Sequence, residues 1–169
     1  MIHARNKLLA SALAAVLMPA AALATVAVPT VAQAAEEADC QLTAVHALKK
    51  GDGTIPKSLE FLSDQLKDDE FAAYKSFKLI DRKALKLQRD KPSEARFSTG
   101  NRIGLTLLGS EGSRLKLHAD LTSRDSDRKL LATDYSINNG GVLMVRAGEL
   151  THEGETGKLF FAIQCSGKI

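Results

Sequence analysis

Between Arg114 and Thr122 the chain alternates without a break. Leu115, Leu117, Ala119 and Leu121 are apolar; Lys116, His118, Asp120 and Thr122 are polar. A helix repeats its faces about every 3.6 residues, so a period of two defines a strand with one buried face and one wet face. A lone strand cannot bury that face, and the rest of the chain supplies companions. Segments 40–48, 102–108, 130–137, 142–145 and 158–165 read as further strands. In 76–81, Phe77 and Leu79 share a face, and in 84–88 Leu85 and Leu87 do the same. Thr99-Gly100-Asn101, Gly109-Ser110-Glu111-Gly112, Arg124-Asp125-Ser126-Asp127 and Asn138-Asn139-Gly140-Gly141 carry turn chemistry, and 148–157 reads as a polar loop. Short strands at this spacing predict a mostly β chain folded as one antiparallel sandwich- or barrel-like domain.

One segment breaks the pattern. Ile55, Leu59, Leu62 and Leu66 recur at spacings of four, three and four, which makes a single apolar stripe on a helix over about 55–67. Thr54 is placed to cap it, Pro56 suits its first turn, and Glu60 adds acid near its N-terminus. Lys57, Glu60, Asp64 and Lys67 then point outward, and Asp68-Asp69-Glu70 ends the run. The expectation is one helix packed on the sheet.

Residues 1–34 have the grammar of a secretory signal peptide. Arg5 and Lys7 form a positive start, 8–18 is apolar, and Ala32-Gln33-Ala34 is an A-x-A cleavage site followed by Glu36, Glu37 and Asp39. The rival reading, a membrane anchor, is weakened by the alanine content and by Pro19 and Pro29. Twin arginines are absent, and Glu37-Ala38-Asp39 before Cys40 is no lipobox. The expected product is residues 35–169, a single domain in the periplasm or outside the cell, with no membrane span after cleavage. Both cysteines, Cys40 and Cys165, remain in it and bracket nearly all of it. In an oxidising compartment they should pair, tying the first strand to the last and stabilising the fold by about 4–5 kcal/mol. No C-x-x-C spacing suggests redox catalysis.

Charge excludes some functions. The formal charge is +3, but Arg5 and Lys7 lie in the acid-free leader; without them 21 Lys and Arg face 20 Asp and Glu. A near-neutral domain is no nucleic-acid binder of the strongly cationic kind. Aromatics at 5% with no Trp argue against an aromatic-lined sugar cleft or base-stacking platform.

No motif specifies a reaction. His118 and Asp120 share a strand face, but they lack a third ligand at a recognisable spacing and read as solvated surface. His152-Glu153 opens like a zinc helix, yet Thr156 stands where the second His belongs. Asp120, Asp125 and Asp127 cluster at a turn without the order of an EF-hand. No nucleophile elbow and no glycine-rich phosphate loop occurs. The sequence therefore predicts no catalytic residue, no metal and no cofactor.

The sharpest local departure is basic. Lys75, Lys78, Arg82, Lys83, Lys86, Arg89 and Lys91 fall within seventeen residues, opposed only by Asp81 and Asp90. If 76–88 is a hairpin, Lys78, Arg82 and Lys86 line its solvent face as a candidate site for an anionic surface, such as an acidic glycan or an envelope protein. The alternative is lysine protection of exposed strands against edge-to-edge pairing.

Phe71-Ala72-Ala73-Tyr74-Lys75-Ser76-Phe77, the Thr99-Gly100-Asn101 turn, Gly140-Gly141-Val142-Leu143-Met144-Val145 and Gly157-Lys158-Leu159-Phe160-Phe161-Ala162-Ile163 together resemble a group of small exported bacterial proteins of unknown function. Those share an F-x-x-Y-x-S-F segment, an N-G turn, a G-G-x-x-L-V strand and a terminal G-x-L-I-L-A-I strand. The resemblance spans about residues 55–163, departs in its Gly-Asn turn and added cysteines, and implies a β-rich exported domain without transferring a catalytic residue. The functional expectation is a non-enzymatic exported binding or envelope-accessory module. The alternatives are a small periplasmic hydrolase with a site assembled by folding, and a protein-partner or inhibitor domain.

Overall fold

The strand with perfect alternation needs a neighbour on each side and apolar cover on one face only, and it has both. In the computed structural model, which describes residues 35–126 and 128–168, Arg114–Thr122 is a central strand of a four-stranded antiparallel sheet. The eight strands in the described residues are β1 (Glu37–Leu48), β2 (Ser76–Gln88), β3 (Pro92–Arg96), β4 (Arg102–Glu111), β5 (Arg114–Thr122), β6 (Lys129–Asn138), β7 (Val142–His152) and β8 (Glu155–Gly167). One sheet has the order β2-β1-β8-β7 and the other β3-β4-β5-β6. The fold is a sandwich and not a closed barrel. The expected leader, residues 1–34, lies outside the described residues.

The two sheets bury their facing residues against each other. Leu42, Phe161 and Ile163 from the first meet Leu105, Leu107, Leu117 and Leu121 from the second, all essentially without solvent contact. Each such side chain contributes about 1.5–3 kcal/mol through burial. Sheet β3-β4-β5-β6 is wet on its outer face, which is why Lys116, His118 and Asp120 alternate with leucines in β5.

The first sheet is different, because a second apolar layer covers part of its outer face. Residues 57–71 wind over it and bury Leu59, Leu62, Leu66 and Phe71 against Val45, Ala47, Phe77, Phe160 and Ala162. Burial on both faces is why β8 reads as the unbroken run Leu159-Phe160-Phe161-Ala162-Ile163 rather than as an alternation.

The covering segment buries the expected stripe but is not the expected helix. It consists of 3-10 turns (Lys57–Leu62), one α turn (Ser63–Leu66, α1) and a final 3-10 turn (Asp69–Phe71). Pro56, not Thr54, occupies the cap position, and no side chain caps the first turn. Asp52 instead accepts the Thr54 N–H in a local turn. Without a cap, a short helix has little reason to propagate. A 3-10 winding also eclipses positions three apart, which suits Leu59 and Leu62.

Three other expectations change. Residues 76–88 form one strand, not a hairpin. The supposed polar loop 148–157 is the tip of a long hairpin made by β7 and β8. Finally, β3 was not legible as a strand; it is a five-residue edge opened by Pro92, a position where a missing N–H is tolerated.

The cysteine expectation holds. Cys40 and Cys165 face each other across β1 and β8 and form a disulfide, with Cα atoms 4.1 Å apart. Both lie inside the sandwich core.

Candidate functional site: the histidine end of the first sheet

At the opposite end of β1 and β8 from the disulfide, the core gives way to polar groups. His46 has no solvent exposure. Register places it beside Lys78 of β2 and Leu159 of β8, on the face toward the sandwich. Its Nε2 lies 3.1 Å from the Leu150 carbonyl oxygen, so in the neutral ring Nε2–H donates that bond. Nδ1 is buried and has no hydrogen-bond partner among the described residues. Burial pushes the His46 pKa down; the Leu150 carbonyl and Glu155 oppose this, while His152 and Lys78 reinforce it. The His152 ring stands edge-on to it, with centroids 6.3 Å apart.

The β7–β8 hairpin closes over this ring. Its loop is Glu153-Gly154, with φ of 51° and 77°, between the paired His152 and Glu155. Two consecutive positive φ values match the right-handed strand twist, and Gly154 adopts its own freely. A glutamate in the left-handed region costs about 1–2 kcal/mol. That conformation sets Glu153 3.6 Å from the Lys78 ammonium, which Glu155 also contacts at 2.5 Å. The hydrogen bond to Glu155 holds Lys78 above the usual lysine range, and the same bond holds Glu155 below the usual carboxylate range.

Beside the hairpin a cavity of about 420 Å³ is lined by Ala47, Leu48, Tyr74 and Gly157, with Lys49, Lys50 and Lys158 among its charged residues. The Tyr74 ring is fixed edge-on to Phe160, with centroids 5.6 Å apart. Both acids on the lining are already engaged: Glu149 by Lys158 at 2.6 Å, and Glu155 by Lys78. Lys49 and Lys50 form no ion pair among the described residues, although the charge of Lys50 helps to hold Glu155 below the usual carboxylate range, and on the lining three lysines face two acids.

The basic residues singled out in the sequence do not share one face. Ala44 pairs with Asp81 and Val45 with Leu79, which leaves Ile80 as an extra residue in β2. This bulge exchanges the faces on either side of it. Phe77 and Leu79 therefore pack under residues 57–71, whereas Leu85 and Leu87 pack in the sandwich core. Lys78 lies beside His46, while Arg82 lies across from Thr43 and Lys86 from Asp39. Arg82 donates to the Ser58 carbonyl at 2.9 Å, and its guanidinium sits 5.3 Å from the centre of the Phe61 ring, so it pins the helical segment. Lys86 is exposed on the open half of the sheet.

His118 has an acid partner that its own strand does not show. Asp134 lies directly across on β6, with Oδ1 2.6 Å from His118 Nδ1, while Asp120 is 3.7 Å from Nε2. Cross-strand register, not sequence spacing, brings this trio together on an open sheet face. His152-Glu153 sits at a hairpin turn rather than on a helix. Among the described residues no group of three or more His, Cys, Asp or Glu is placed to hold a metal ion, and Asp127 lies outside them.

No helix in the described residues is long and apolar enough to cross a membrane. The chain matches no known family profile and no curated protein. Among solved structures it is similar to the T2SS secretin XcpQ from Pseudomonas aeruginosa, determined by cryo-EM, with TM-score 0.42 and 11% identity over 80% of this chain. That match spans 59% of the secretin chain.

Proposed function

We propose that the protein is an exported, non-enzymatic binding module of the cell envelope, and that it takes an anionic ligand at the histidine end of its first sheet. The observation that carries this reading is the cavity bounded by Tyr74, Lys49 and Lys50. It combines an apolar floor with two lysines that form no ion pair among the described residues. Pockets of a few hundred Å³ with an apolar lining and a few convergent polar groups are the usual form of small-ligand sites. An acidic glycan unit is the ligand class that suits it: its carboxylate meets the lysines, so recognition rests on charge, with the one ring on the lining, Tyr74, beside the sugar rather than an aromatic-lined cleft. The expected leader and the disulfide support export, since such bonds persist in oxidising compartments.

The test is an NMR titration of the exported protein with a short uronic-acid oligosaccharide. Shifts are expected at Tyr74, Lys49 and Lys50, and they should vanish in the double variant Lys49→Ala, Lys50→Ala. Shifts confined to the other sheet would remove the assignment. Release of new reducing ends during the titration would favour the hydrolase alternative.

A further inference from the structure

We infer that His46 is an acid-sensitive latch, whose protonation releases the β7–β8 hairpin from the end of the sheet. The geometry supplies each part of the device. His46 is completely buried, and its one hydrogen bond runs to Leu150 on the hairpin arm. Its other ring nitrogen has no partner among the described residues, so a proton taken from solvent at Nδ1 would sit in the interior with none of them to accept its hydrogen bond.

The Leu150 carbonyl would accept a stronger bond from an imidazolium, but burial outweighs it and the nearby cations add to the cost of the charge. Lys78 faces His46 from β2, His152 from β7 and Glu155 from β8, with Glu153 beyond Lys78. Of these only Glu155 attracts an imidazolium at close quarters, and it is already bonded to Lys78.

The hairpin yields rather than β1, because the two are held so differently. β1 lies in the middle of the sheet, is covered on both faces around Val45 and is tied to β8 by the disulfide. β7 is an edge strand, and its loop holds Glu153 at positive φ. Closure is also tight. A Cβ on Gly157 would come 2.7 Å from His46 Nε2, so a small movement of this arm changes the ring's surroundings. Because Glu155 and Gly157 line the cavity, opening would dismantle the proposed ligand seat; that coupling rests on the binding reading above, while the opening itself does not.

Hydrogen exchange of the full exported protein between pH 7.5 and pH 5, corrected for intrinsic exchange rates, tests the latch. Protection of residues 150–157 is expected to fall at least tenfold, while β4 and β5 keep theirs. The His46 ring should titrate by NMR below the ordinary histidine midpoint, and the hairpin should lose protection with that same midpoint. His46→Gln, which stays uncharged, should remove the pH dependence, and His152→Gln should leave it. The inference is overturned if His152→Gln abolishes the effect, if wild-type protection is unchanged at pH 5, or if all strands lose protection together. Should His46→Gln fail to fold, the wild-type midpoints and His152→Gln still decide. Uronic-acid binding measured in parallel separates the two ideas: a hairpin that opens in acid with no binding at either pH refutes the ligand reading alone.

Discussion

Strand β1 is fastened in opposite ways at its two ends, to β8 by a disulfide at one and to β7 by a hydrogen bond at the other. Near Cys40 and Cys165 a covalent bond inside the apolar core holds β1 to β8, and the outer face of the sheet is bare around Asp39, Lys86 and Ser166. Near His46 residues 57–71 roof the outer face, and a histidine hydrogen bond ties the neighbouring hairpin from within. The first fastening is indifferent to mild acid. The second depends on the protonation of a buried ring. One sheet therefore combines a permanent clamp and a conditional one, and the cavity proposed for the ligand lies at the conditional end.

The clamp can be tested first, since it should give the largest effect. Replacing Cys40 and Cys165 together by Ala should cost about 4–5 kcal/mol, read as a lower urea midpoint. A change under about 1 kcal/mol would mean that the core alone holds this end. At the other end, Leu62→Ala removes a fully buried side chain from the roof and should cost about 2–5 kcal/mol, whereas outward Lys57→Ala should cost less than about 0.5 kcal/mol. Equal shifts for these two would show that the roof is not docked.

The hairpin supplies two finer tests. Gly157→Ala places a Cβ 2.4 Å from the Ala47 carbonyl oxygen, and the repacking should cost about 1–3 kcal/mol, with lost exchange protection centred on 150–157. Uniform loss throughout the sandwich would deny the hairpin its independence. Glu153→Gly relieves the positive φ but gives up an exposed contact with Lys78. A small gain, about 0.5 kcal/mol, is expected in thermal unfolding at neutral pH. A clear loss would mean that the ion pair outweighs the backbone strain.

Much of this arrangement was legible in the residues. The alternation of 114–122 required a half-buried strand, the leader and the even cysteine count pointed to a disulfide between the first and last strands, and the spacing of Leu59, Leu62 and Leu66 marked a buried stripe. The site was less legible. Lys78, Arg82 and Lys86 share parity, so pattern reading set them on one face, but the bulge at Ile80 separates Lys78 from the other two. A bulge is a one-residue change of register in a pair of strands, and neither strand alone carries it. Asp134 is not legible as the partner of His118 for a related reason, because their meeting depends on β5 and β6 lying in register.

What the sequence determined by itself is what local chemistry controls: that the chain is mostly strands, which face of the regular ones prefers to be dry, where most turns fall, and that two thiols stand at opposite ends of one domain. Tertiary structure alone decided that His46 lies under Leu150, that Lys49 and Lys50 flank a cavity with Tyr74, and that the roof winds mainly as 3-10 turns. The physical reason is range. Alternation, capping and turn preferences act over a few residues, whereas burial, cross-strand register and the pairing of charges are set by segments from 16 to 104 residues apart that meet only when the sheets close.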